Sequence, residues 1–228
     1  MRSGLFIFTL LSMMSLQALE NEGSQGKYIM EFSEPLFSIH QENLKVFLSG
    51  DEMVTKGDGV FELFNVNIKL ENELKESSLS AEQAHYNDTK KLMNFRSSVN
   101  LVFNTDEDKL KLRTENLSID LDEELVTSND FTTLDLNGSH ITAKSFKYDL
   151  KKEAEFLVQF YEGEFIDKNS LENYGKAKSI KLLKDNTILL QGNASFNQGS
   201  LKIMAESIYY DYLEKSVIKS LNAKITNG

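Results

Sequence analysis

The stretch Ser139–Asp149, SHITAKSFKYD, decides how this chain folds. Its apolar residues alternate at Ile141 and Ala143, shift phase by one position, and alternate again at Phe146 and Tyr148. Successive side chains of a strand point to opposite faces, so an uncompensated shift would turn the second half outward. A bulge or corner absorbs the extra residue and keeps both halves on one buried face. The stretch therefore predicts a bent β-strand.

The same phrase recurs along the chain. LKIMAESIYYD places Ile203, Ala205, Ile208, Tyr210 and Asp211 at matching offsets. LSAEQAHYND, LRTENLSID and GKAKSIKLL supply three further copies, and the small residues of the five stand at Ala81, Thr114, Ala143, Ala177 and Ala205. A period of about 30 residues is that of stacked supersecondary units. Each copy runs into a polar tip, such as NDTKK after Tyr86 or DEE at Asp122–Glu124, and then into a second apolar run. The unit reads strand, turn, strand. Upstream, LKVFLSG and VFELFNVNIKL, joined through GDG, add a first hairpin. No long stretch keeps a 3.6-residue period and Pro35 is the only proline, so the whole reads as an antiparallel β-architecture of a dozen or more strands.

Composition narrows the function. With 228 residues, 40% hydrophobic, 15 Phe and 8 Tyr, the chain can build a large core as a single domain. A net charge of -10 gives the wrong field for nucleic acid. The absence of cysteine excludes disulfides, thiolate metal sites and a lipid-modified N-terminal cysteine. MRSGLFIFTLLSMMSLQALE has one early charge, an apolar run from Leu5 to Met14, and small Ala18 before Glu20. This is the order of a signal peptide over residues 1–18, with retention as a short N-terminal anchor the alternative, and either exports the body.

Candidate chemistry is sparse. His40, His85 and His140 lack the spacing of a metal site. The carboxylates at Asp106–Asp108 and Asp122–Glu124 fall at turn tips, where they solubilise. No nucleophile elbow or phosphate loop is present, and no cofactor and no catalytic residue are expected. The Asn-x-Ser/Thr triplets at Asn87, Asn116, Asn137 and Asn193 follow from turn chemistry. What remains is the collective stripe: Leu117, Ile119, Phe146, Tyr148, Ile180, Leu182, Ile208 and Tyr210 are expected to line one apolar interior.

Leu190–Asp211, LQGNASFNQGSLKIMAESIYYD, resembles the repeat of the LptA or OstA-like family of periplasmic lipopolysaccharide-export proteins. Gly192, Asn193, Gly199, Ala205 and Tyr210 match the pattern, whereas Ala194 and Glu206 depart from it. FELFNVNIKL followed by LSAEQAHYNDTKKLMNF resembles LptC, the inner-membrane-anchored partner in that system. The resemblance implies a twisted, partly open β-jellyroll over residues 19–228 whose interior holds lipopolysaccharide acyl chains, with the eight residues above as lipid-binding positions. It implies a non-enzymatic carrier in the periplasm, attached to the inner membrane if the N-terminal segment is retained. Implied partners are lipopolysaccharide, the inner-membrane transporter and other jellyrolls joined by edge-strand pairing, with a homo-oligomer a further form. The competing reading is a β-solenoid scaffold with a dry core, which the wandering repeat length disfavours.

Overall fold

A computed structural model describes residues 17–18, 30–40, 44–72, 76–104, 109–136, 138–151, 156–168, 173–183 and 185–227. The apolar leader up to Leu16, the acidic run Asp106–Asp108 and the triplet residue Asn137 lie outside the described residues. Within them there are 18 strands and no helix. The fold is all-β and its strand pairs are antiparallel, mostly between hairpin neighbours.

The chain divides into two compact units. Unit 1 comprises residues 1–104 and 115–125, and contains β1 (Gln17–Ala18), β2 (Met30–Ser33), β3 (Leu36–His40), β4 (Leu44–Ser49), β5 (Glu52–Gly57), β6 (Val60–Asn72), β7 (Glu76–Asn87) and β8 (Leu92–Asn104). Unit 2 comprises residues 105–114 and 126–228, with β10 (Leu125–Ser128) beginning at its border. It continues through β11 (Thr132–Leu136), β12 (Ser139–Asp149), β13 (Phe156–Asp167), β14 (Tyr174–Leu183), β15 (Thr187–Gln198), β16 (Leu201–Asp211), β17 (Ser216–Leu221) and β18 (Lys224–Asn227). Strand β9 (Lys109–Asp120) passes from unit 2 to unit 1 between Thr114 and Glu115, at the phase shift of its own phrase. Strands β2 and β5, β4 and β6, β9 and β11, and β16 and β18 pair across an intervening strand or strands.

The predicted bend is present in each copy. In β12 Ile141, Ala143, Phe146 and Tyr148 are all buried, while Lys144 and Ser145 both face outward. Strands β12 and β13 bend together: Ala143 pairs with Gly163 and Ser145 with Tyr161, leaving Lys144 opposite Glu162. Two other return strands, β15 and β8, take the extra residue as a bulge. In β15 Gly192 and Asn193 stand against the single Glu206, since Gln191 pairs with Ser207 and Ala194 with Ala205. Both bulged residues have positive φ, 79° and 52°. Strand β8 repeats the device in unit 1 with Ser97 and Ser98, at φ 63° and 55°. Left-handed backbone of this kind is what a bulge requires and what Gly and Asn tolerate best.

The last residue of the phrase ends the strand. The side chains of Asn87, Asp120, Asp149 and Asp211 accept hydrogen bonds from the turn amides of Lys90, Glu123, Lys151 and Leu213, at 2.9–3.0 Å. A short Asx side chain that captures an amide two or three residues on stabilises the turn locally. Lys91, Glu124 and Lys215 then close three of these tips with positive φ, and Asn186 does the same between β14 and β15.

Charge divides unequally. By sequence unit 1 holds 9 basic and 19 acidic residues and unit 2 holds 16 of each, so the net charge of -10 resides in unit 1.

Candidate functional site

The interior of unit 2 is built from cross-strand rows. On the side of the bend toward the phrase's end, Phe146, Phe160, Ile180, Leu190 and Ile208 pair across five successive strands. The next row is Tyr148, Val158, Leu182, Ile188 and Tyr210. On the other side of the bend the inward row is Ile141, Phe165, Gly175, Phe196 and Ile203. Opposed antiparallel residues lie close enough for their side chains to touch, so each row is a continuous apolar ridge.

The two arms of the bend meet. Tyr210 belongs to one arm, yet its ring centroid lies 5.1 Å from that of Phe165 and 4.8 Å from that of Phe196, both on the other arm. Phe165 and Phe196 stack at 6.3 Å, and Phe146 lies 6.3 Å from Phe160. These spacings are those of favourable aromatic pairs. Between the arms runs the row of small residues, Ala143, Gly163 and Ala177, with Ala194 opposite Ala205 beyond the bulge. Small side chains there let the folded sheet close on itself.

Six of the eight residues singled out from the sequence, Phe146, Tyr148, Ile180, Leu182, Ile208 and Tyr210, share this interior, and none is more than 2% exposed. Leu117 and Ile119 are equally buried but belong to unit 1. The stretch LRTENLSID thus contributes Leu112 and Thr114 to unit 2 and its second half to unit 1. Thr114 takes the small-residue position of its phrase with a buried hydroxyl, satisfied by Ser128 Oγ at 2.9 Å and by the Phe131 carbonyl at 3.3 Å. Sequence reasoning missed the return-strand partners Val158, Phe160, Phe165, Leu190 and Phe196. Their signal was available in FLVQFYEGEFID and TILLQGNASFNQ, whose alternation carries the same one-residue shift.

Polar groups at the margins are partnered. Tyr210, pushed up to about 12 by burial and by the nearby Asp167 carboxylate, receives a long hydrogen bond from Asn173 Nδ2 at 3.4 Å. Lys215 Nζ stands 3.7 Å from the buried Asp167 Oδ2. In unit 1 Tyr86 donates to Asp88 Oδ1 at 2.7 Å and stacks on Phe61. Burial raises the Tyr86 hydroxyl well above its ordinary value. Burial also acts to raise Asp88, but the hydrogen bonds from Lys91 and Tyr86 outweigh it and hold the carboxyl below its usual range.

On the outer surface of unit 2, Asp135 gathers two cationic side chains, Arg113 at 2.8 Å and Lys168 at 2.9 Å, and the imidazole of His140, whose Nδ1 lies 3.0 Å away. The Lys168 ammonium, helped by His140 and Arg113, holds its carboxyl at about 2. His140 is therefore a carboxylate partner at a strand end. Among the described residues no group of three His, Cys, Asp or Glu is placed to hold a metal ion, and no helix is long and apolar enough to cross a membrane.

A search of curated proteins finds no match. A family model described as lipopolysaccharide-assembly, LptC-related, matches residues 27–159, which include β2 to β12 and the start of β13. The LptA-like stretch Leu190–Asp211 lies beyond the matched residues. With more than half of its length matched and an antiparallel all-β fold of the jellyroll kind, the chain belongs to the LptC-related family of lipopolysaccharide transport components.

Proposed function

We propose that this chain binds lipopolysaccharide and passes it on within the export bridge, holding acyl chains against the apolar rows of its bent strands without catalysing a reaction. The observation that carries the reading is the pair of facing arms in unit 2, where unbroken ridges from Phe146 to Ile208 and from Tyr148 to Tyr210 oppose the row containing Phe165 and Phe196. Burying hydrocarbon contributes about 0.8 kcal/mol per CH₂. A chain of ten or so methylenes can therefore offset the loss of the contacts that close the arms, each aromatic pair being worth about 0.5–1.5 kcal/mol. Leu117 and Ile119 extend the same chemistry to unit 1.

The body acts in the periplasm, with the N-terminal apolar segment holding it to the inner membrane or removed as a signal peptide. Partners join by strand addition. The C-terminal strands β17 and β18 both pair with β16 and expose Ile218, Leu221 and Ile225, an apolar edge suited to a neighbouring jellyroll or a second copy.

Native mass spectrometry of the chain purified from a lipopolysaccharide-containing envelope tests this, with a photoreactive side chain at Phe160 inside and at Lys181 outside. Co-purifying acylated glycolipid and cross-linking confined to position 160 are expected. A folded chain that carries no lipid and takes up no added lipopolysaccharide overturns the reading. Charged substitutions such as Phe146→Asp or Ile180→Asp are poor probes, because a carboxylate buried there without a partner costs several kcal/mol and unfolds the unit.

A further inference from the structure

We propose that the outward face of the bend in unit 2 is a binding site for an anionic oligosaccharide, separate from the apolar interior. Its source as the sugar portion of lipopolysaccharide rests on the proposed function above; the site itself rests on its own geometry. An open groove of about 980 Å³ lies across β12 to β15 on the outward side of the bend. Two aromatic rings edge it: Phe131, 65% exposed, and Tyr161, 38% exposed. The Phe131 backbone is fixed by the Thr114 hydroxyl, so its ring is displayed from a rigid base. An exposed ring on a fixed backbone suits the C–H face of a pyranose, which needs an apolar platform flanked by hydrogen-bonding groups.

The floor and walls supply those groups. Lys144 pairs with Glu162, and Lys176 with Glu164 at 2.8 Å. Lys178 adds only a weaker through-space pull on Glu162, so three ammonium groups face two carboxylates and one positive charge is in surplus. The bulge makes room for it: a Cβ on Gly192 would stand 3.3 Å from Lys178 Cβ and 3.6 Å from its Cδ, so the lysine stem lies over bare backbone. Thr142, Asn193 and Ser195 complete the lining with neutral donors and acceptors. Exposed ion pairs contribute little to stability, about 0–1 kcal/mol each, and their ammonium groups can turn to a ligand at small cost.

Charge favours an anion here and not on unit 1. The whole excess of acid residues lies in unit 1, whereas unit 2 balances and carries on the same outward face Arg113 and Lys168, two cations that share the single carboxylate of Asp135. A peptide strand fits poorly, because the groove lies on a sheet face whose backbone groups are used in the ladders. A flat membrane fits poorly too, since the lysines sit in a concavity beside Glu162 and Glu164.

The test is calorimetric titration with a phosphorylated oligosaccharide made by complete deacylation of lipopolysaccharide, against an uncharged oligosaccharide of similar length and vesicles containing phosphatidylglycerol. Binding that weakens with added salt is expected. Lys178→Glu should weaken it at least tenfold and Phe131→Ala several-fold, and both positions are exposed, so the fold is not at risk. No heat with the deacylated saccharide, equal affinity in both variants, or Lys178-dependent binding of vesicles but not of saccharide overturns the proposal. If the saccharide fails while acylated lipid still co-purifies, the groove falls alone; if the saccharide binds and no lipid does, the interior reading falls alone.

Discussion

Gly163→Ala probes why each phrase carries a small residue at its bend. Gly163 sits in β13 between Ala143 and Ala177, and a Cβ there would lie 2.9 Å from the Thr142 carbonyl oxygen, 3.0 Å from Ile180 Cδ1 and 3.3 Å from Ala143 Cβ. The first of these is backbone and cannot rotate away. Gly163 is not among the glycines with positive φ, so alanine meets no dihedral penalty and gains about 0.4–1 kcal/mol from a less flexible unfolded chain. Overpacking costs about 1–3 kcal/mol and exceeds that gain. The net expectation is destabilisation by about 1–2 kcal/mol, or about 2–8 °C in Tm for a chain of this size. Urea unfolding followed by circular dichroism, with the slope of the transition checked against wild type, measures it. A variant as stable as wild type would show that the bend does not depend on close approach at the small-residue row.

Two further outcomes follow from the ionisable groups. Tyr210 is held at about 12 when folded, above its ordinary value of 10, so the unfolded chain releases this proton first and stability falls as pH rises from about 10 to about 12. The loss is about 2–3 kcal/mol, and alkaline denaturation should be correspondingly shallower in Tyr210→Phe, where a slope equal to wild type refutes the assignment. Asp135 is depressed to about 2, so its contribution is present above pH 4 and is lost as pH falls toward 2. Asp135→Asn should cost about 1 kcal/mol at pH 7 and flatten that part of the acid limb, the exposed setting of Arg113 and Lys168 keeping the effect small. Unfolding midpoints at pH 7 and pH 3 decide it.

The bend was legible in SHITAKSFKYD because burial imposes a strict two-residue period, and a single break in that period, repeated five times, has only one economical explanation. The turn-capping role of Asp149 and Asp211 was equally local. What the sequence did not disclose was division into units. The phrase in β9 looks like its siblings, yet it alone runs from one unit into the other, because which strands close around a given interior is set by long-range pairing and not by periodicity. For the same reason Leu117 and Ile119 could be read as inward but not assigned to the interior that holds Phe146 and Ile180. The outer groove was hidden for a different cause: Phe131 and Tyr161 are ordinary aromatic letters in a chain with 15 Phe and 8 Tyr, and only the fold shows them exposed beside three lysines.

The filled interior gives the lipid-binding reading a mechanical condition. Phe165, Phe196 and Tyr210 already occupy one another's surfaces, so acyl chains cannot simply enter a standing cavity between these arms. They must part them. Opening is least costly where the contacts holding the arms are aromatic rings rather than ladder hydrogen bonds, because strand pairing within each arm can persist while the rings separate. The bulges at Gly192–Asn193 and the paired bend at Lys144–Glu162 lie along the line about which such parting would turn. If the arms part about that line, the angle on the outer side of the bend changes with the angle on the inner side, so the two faces of unit 2 are coupled. Occupancy of one face should then lower affinity for the other, as reciprocal linkage requires when each ligand favours a different angle of the same bend.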